Sequence, residues 1–75
     1  MNYRFYFNFR TVNEINRSDF VIHCNTCHCR KIKSNINGFW SDWFESYEDA
    51  YNVLNKLVDE FREHDYIVRP CNECQ

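Results

Sequence analysis

Apolar and polar residues alternate with a period of two at the start of the chain. Tyr3, Phe5, Phe7 and Phe9 fall on one side, Arg4, Asn8 and Arg10 on the other, the pattern of a half-buried strand. Tyr6 is the one aromatic on the polar side. Residues 11–18, with Asn13, Asn16 and Ser18, read as a polar turn region. A second strand is expected over 19–23, with Phe20 and Ile22 on one face, leading straight into Cys24. Sheet packing suffices to explain these aromatics.

Residues 30–36 read as a third strand, with Ile32 and Ile36 inward and Lys31, Lys33 and Asn35 outward. Asn37-Gly38 follows, and Asn-Gly between two apolar runs predicts a hairpin with a type I′ turn, since both residues tolerate positive φ. The return strand, 39–44, carries Trp40, Trp43 and Phe44. Ser46 is a good N-cap with Asp49 three residues on, close to a capping box. Tyr47, Ala50, Tyr51, Leu54, Leu57, Val58 and Phe61 then recur at three- and four-residue steps, an apolar helical stripe long enough to cross a small sheet. Glu48, Asn52, Asn55, Lys56, Asp59, Glu60, Arg62 and Glu63 are expected on the solvent face. The helix ends at His64-Asp65 without a glycine, and His64 is placed to meet the carbonyls there. A short strand over 66–68 precedes Pro70. The pattern predicts one α+β domain over residues 1–75, a small antiparallel sheet of hairpins packed on one amphipathic helix.

At 75 residues a hydrophobic core alone is marginal, and a staple is expected. Seven Phe, five Tyr and two Trp are enough to build a core around one. One Gly, one Pro and no low-complexity tract argue against disorder. No stretch is apolar and long enough to span a membrane, and residues 1–10 are too polar for a signal peptide. A cytoplasmic location is expected, where thiols stay reduced.

Five cysteines, an odd count, disfavour a disulfide framework and favour a metal. Cys24-x2-Cys27 and Cys71-x2-Cys74 each place two thiolates on one tight knuckle, and two knuckles supply the four tetrahedral corners that Zn²⁺ prefers. Cys24, Cys27, Cys71 and Cys74 are the expected ligands of a four-cysteine site in a zinc-ribbon or treble-clef-like arrangement. The cluster His23-Cys24-Asn25-Thr26-Cys27-His28-Cys29 holds more donors than one ion needs. Cys29 could replace Cys27, pack as a small hydrophobe or react at the surface, and His23 or His28 could complete a site of three cysteines and one histidine. Binding of structural zinc is worth roughly 10–16 kcal/mol in small zinc peptides, more than the stability of most domains.

The segment 24–75 resembles the zinc-binding domain of Ada-type DNA-repair methyltransferases. The features that carry the likeness are the first cysteine pair and the basic strand with Arg30, Lys31, Lys33 and Asn35. They continue with the aromatic return strand, the helix holding Glu48 and Ala50, and Arg69-Pro70-Cys71-x2-Cys74. The resemblance implies that Cys24, Cys27, Cys71 and Cys74 hold Zn²⁺ and that Cys24 is the candidate acceptor of a methyl group from a DNA phosphotriester. The chain departs from that family in its longer middle segment and in three further ways. Its first pair is spaced by two residues instead of three, Asn72 and Glu73 occupy a knuckle that is basic in the family, and His64-Asp65 stands where a glycine is expected.

A closed four-sulfur site leaves no open coordination position, so the expected function is non-enzymatic. There is no His-x-Glu deaminase motif, no His-Glu-x-x-His and no glycine-rich phosphate loop. A redox pair normally follows a strand at the start of a helix, which does not describe Cys71-x2-Cys74. A net charge of −2, made more acidic by four thiolates on one Zn²⁺, lowers the match to a nucleic-acid backbone. The expected function is a zinc-stabilised binding or regulatory module whose partner is another protein, with Trp40 and Trp43 as interface aromatics or as hairpin packing against the helix. The alternative is nucleic-acid binding through Arg30, Lys31 and Lys33, aided by Arg4, Arg10, Arg17 and Arg69.

Overall fold

The computed structural model describes residues 1–26 and 37–72. Its elements are β1 (Tyr3–Asn8), α1 (Phe9–Val12), β2 (Ser18–Cys24), β3 (Gly38–Trp40), α2 (Tyr47–Phe61) and β4 (Tyr66–Pro70). The strands form one four-stranded sheet in the order β3-β1-β2-β4, with α2 packed on one face through β1, β2 and β4. The α+β class holds. The expected third strand, 30–36, lies outside the described residues.

The period-two pattern of β1 buries Phe5 and Phe7. Phe20 and Ile22 of β2 are buried on the same side of the sheet. Phe9 does not extend β1. Asn8 N-caps α1, its side chain accepting from the Arg10 N–H at 2.9 Å, and Phe9 starts that single turn half-exposed at the surface.

The sheet is mixed, which corrects the expected antiparallel set of hairpins. β1 runs antiparallel to β2, with Tyr3 opposite Cys24 and Phe5 opposite Ile22, and antiparallel to β3. β4 instead runs parallel to β2 from Ser18↔Tyr66 to Ile22↔Pro70. Two parallel strands need a long crossover, and α2 lies in the chain between them. Pro70 is tolerated there because β4 is an edge strand of this sheet and Pro closes it.

The Asn37-Gly38 expectation fails at its turn type. None of the described residues, Gly38 included, has a positive φ. Gly38 is the first residue of β3, opposite Asn8. A Cβ there would collide with the Phe7 carbonyl oxygen and lie 2.8 Å from the Tyr6 ring. The glycine serves close backbone approach, not turn geometry.

Ser46 caps α2 as expected, its hydroxyl accepting from the Asp49 N–H at 3.1 Å. The buried stripe is narrower than the sequence suggested. Ala50, Leu54 and Val58 are fully buried, and Tyr47 and Leu57 pack at its margin. Tyr51 and Phe61 are exposed. These helix residues close over Phe5, Phe7, Val12, Phe20 and Ile22 as one apolar cluster.

Arg62, expected in solvent, is buried. It is the C-cap of α2 in extended conformation, which turns its side chain under the α1–β2 connection. Nη1 donates to the carbonyls of Thr11, Val12 and Glu14 at 3.2, 3.2 and 2.8 Å. Nη2 donates to the carbonyls of Asn16 and Asp65, the latter also reached by Nε at 3.1 Å. Short helical turns leave some of their last carbonyls without partners. The planar fork supplies the donor for those of Val12 and Glu14 and adds to the bonds that Thr11, Asn16 and Asp65 accept from Glu14 or Ser18. His64, proposed from sequence for a related task, is exposed.

Candidate metal centre and aromatic face

The parallel register of β2 with β4 decides where the two cysteine segments meet. Ile22 stands opposite Pro70, and the Cys71 N–H donates to the Ile22 carbonyl at 3.0 Å. Cys24 and Cys71 therefore leave neighbouring strands at the same end of the sheet. Both are buried, beyond the apolar cluster under α2. An antiparallel β4 would have carried Cys71 to the opposite end.

Cys24 is held by the pairing of β1 with β2, which runs on past the strand ends. The Asn25 N–H donates to the Asn2 carbonyl at 2.9 Å, and the Asn2 N–H donates to Asn25 Oδ1 at 3.3 Å. The Thr26 hydroxyl lies 3.2 Å from Cys24 Sγ. A hydroxyl at that distance can donate to a thiolate and stabilise its charge, as outer-shell groups do at metal sites. Sequence reasoning passed over Thr26, although a threonine between two cysteines of a knuckle is the signal for it.

Of the expected ligands, Cys24 and Cys71 stand on neighbouring strands at one end of the sheet, while Cys27 and Cys74 lie outside the described residues. So do Cys29, His28 and the basic residues Arg30, Lys31 and Lys33. Among the described residues no group of three or more His, Cys, Asp or Glu side chains converges as a metal site. His23 is buried, but alternation along β2 sends its side chain to the face opposite Cys24. Its ring packs edge-on against Trp40, with centroids 5.6 Å apart.

That opposite face carries a second organised group. Tyr6 stands across from Trp40, and Tyr3 across from Phe44, so the β3 side holds one more residue than the β1 side over the same span. This is a β-bulge. At it, the Phe5 N–H donates to the Ser41 hydroxyl at 3.0 Å, while the Ser41 N–H donates to the Phe5 carbonyl at 2.9 Å. In a regular strand Trp40 and Trp43 would point to opposite faces. The extra residue puts both indoles against Arg4, whose guanidinium carbon lies 4.0 Å from the Trp40 ring centroid and 4.5 Å from that of Trp43. Phe44 is turned inward and stacks on Phe5. Tyr6 meets Trp40 edge-on at 5.4 Å. Neither tryptophan belongs to the core under α2, so the hairpin-against-helix alternative for them is set aside.

Arg69 on β4 pairs with Asp19 on β2 at 3.3 Å, half-exposed on both sides. A pair so placed contributes about 0–1 kcal/mol. No helix among the described residues is long and apolar enough to cross a membrane.

No protein-family model matches the chain, and no curated protein or solved structure matches it either.

Proposed function

We propose that this chain is a small non-enzymatic binding module, clamped by one Zn²⁺ on Cys24, Cys27, Cys71 and Cys74, with a protein as its partner. The observation that carries it is the parallel β2–β4 register, which sets buried Cys24 and Cys71 at one end of the sheet. Each of these residues opens a C-x2-C pair, so both pairs begin at the ends of adjacent strands, a starting point that suits zinc-ribbon and treble-clef-like clamps. The Thr26 hydroxyl beside Cys24 suits a thiolate at that position.

The partner-binding reading is supported by the two tryptophans. A chain with a marginal core places Trp40 and Trp43 outside it, around Arg4 on the sheet face away from α2. Trp and Arg are among the residues most enriched at the energetic centres of protein interfaces. The test is metal content in single Cys→Ser variants of reduced protein. Loss of stoichiometric zinc is expected at Cys24, Cys27, Cys71 and Cys74 and retention at Cys29. Full retention in the Cys24 or Cys71 variant would overturn the assignment.

One observation favours a second reading, a nucleic-acid-binding module using Arg30, Lys31 and Lys33. Trp43 is exposed beside Arg4, a pairing on which a single-stranded base can stack. Binding to short oligonucleotides that weakens steeply with salt would support it.

A further inference from the structure

Away from both the cysteine end and the tryptophan face, a third surface is apolar. Phe9, Phe39 and Phe61 are exposed by 44%, 43% and 54%. They are not scattered. Each packs its ring on the fully buried Phe7, at centroid distances of 5.1, 5.6 and 6.1 Å, and Phe9 meets Phe39 at 6.1 Å. The patch continues along α2, where Val53, Leu57 and Phe61 recur at four-residue steps beside the buried row of Ala50, Leu54 and Val58. Val53 is 45% exposed. A joined apolar surface of this kind on a small chain marks an interaction site.

The rim indicates what covers it. Val53, Lys56, Leu57 and Glu60 line a shallow groove of about 220 Å³. Lys56 and Glu60 lie one helical turn apart, both exposed, and among the described residues neither is paired within the chain. A positive and a negative charge at that spacing, beside an apolar row, are self-complementary under a two-fold axis. We infer that a second copy of this chain docks here, the two α2 helices running antiparallel across an axis near Leu57. Val53 then meets Phe61 of the second copy, Leu57 meets its counterpart, and Lys56 pairs with Glu60 of the second copy, twice by symmetry. Phe9 and Phe39 extend the contact on either side. This goes beyond the metal-clamped binding module and depends on neither the metal nor the tryptophan face.

Sedimentation equilibrium of the full reduced chain, with its bound metal as purified, tests the inference. The average mass is expected to rise to that of a dimer between about 1 and 500 µM. Lys56→Glu or Glu60→Lys alone turns both cross-axis attractions into repulsions and should weaken association by about tenfold. The double variant Lys56→Glu/Glu60→Lys restores opposite charges and should recover it. Val53→Glu, on an exposed helix position, should leave the helical circular dichroism unchanged and abolish the dimer. A chain that stays monomeric throughout this range, or a double variant no better than the singles, overturns the inference. Metal content measured on the same samples keeps the two proposals separate. A metal-loaded monomer refutes only the dimer, and a metal-free folded dimer refutes only the clamp.

Discussion

Arg62 donates from Nη1 to the carbonyl of Val12 at 3.2 Å, joining the end of α2 to the end of α1 across 50 residues of chain. The same guanidinium serves four other carbonyls, those of Thr11, Glu14, Asn16 and Asp65. None of these partners is a carboxylate. The bonds are charge-assisted, and their loss strips the Val12 and Glu14 carbonyls of their donor, while those of Thr11, Asn16 and Asp65 keep bonds from Glu14 or Ser18.

Arg62→Met is therefore expected to destabilise the chain by about 2–4 kcal/mol. Arg62→Lys should recover only part of this, because an ammonium cannot span five carbonyls held in a planar fork. Urea unfolding of the two variants checks the order. A lysine variant as stable as wild type would contradict it.

Gly38→Ala tests the close approach of β3 to β1. The added methyl would collide with the Phe7 carbonyl oxygen, a backbone atom that cannot swing aside. A cost of about 1–3 kcal/mol is expected, as for other overpacked sites. Were the position a type I′ turn, Gly38→Asn would be well tolerated. Here it should be as damaging as alanine, and a fully stable Gly38→Asn variant would show that the strand pairing is wrong.

Tyr66 sets a limit at high pH. Its hydroxyl donates to Asp59 Oδ1 at 2.6 Å and lies 2.7 Å from Asn55 Oδ1. Burial, the hydrogen bond to Asp59 and the charge of that carboxylate push its pKa up to about 12. The unfolded phenol ionises near 10. The unfolded state thus binds fewer protons than the native state between these values, and stability falls as pH rises through this window. Below about pH 10 the contribution is fully present. Ultraviolet titration should show Tyr66 ionising late. Asp59→Asn should move its ionisation downward, and an unchanged titration would count against the contact.

The helix and first two strands were legible because each rests on local chemistry. The Ser46 cap, the four-residue spacing of Ala50, Leu54 and Val58, and the alternation of Phe5 with Phe7 need no distant partner. What escaped depends on residues far apart in the chain. The direction of β4 is set by the crossover of α2. The burial of Arg62 follows from the carbonyls of an α1 turn that composition alone did not announce. Asn37-Gly38 has the right residues for a turn, yet the glycine answers to the Phe7 backbone. Trp40 and Trp43 read as members of one return strand, where regular alternation separates them, and only a one-residue bulge brings both to Arg4. At the cysteine end, the pairs were visible as spacing. That Cys24 and Cys71 share one end of the sheet was not, because it follows from the parallel register.

The metal clamp is the claim on which the proposed function rests, and elemental analysis of the purified, reduced protein before and after exhaustive chelation tests it most directly. One zinc per chain is expected, and its removal should abolish the helical circular dichroism of α2, as in small domains whose folding is coupled to zinc binding. A chain that is fully folded with no bound metal would contradict the account.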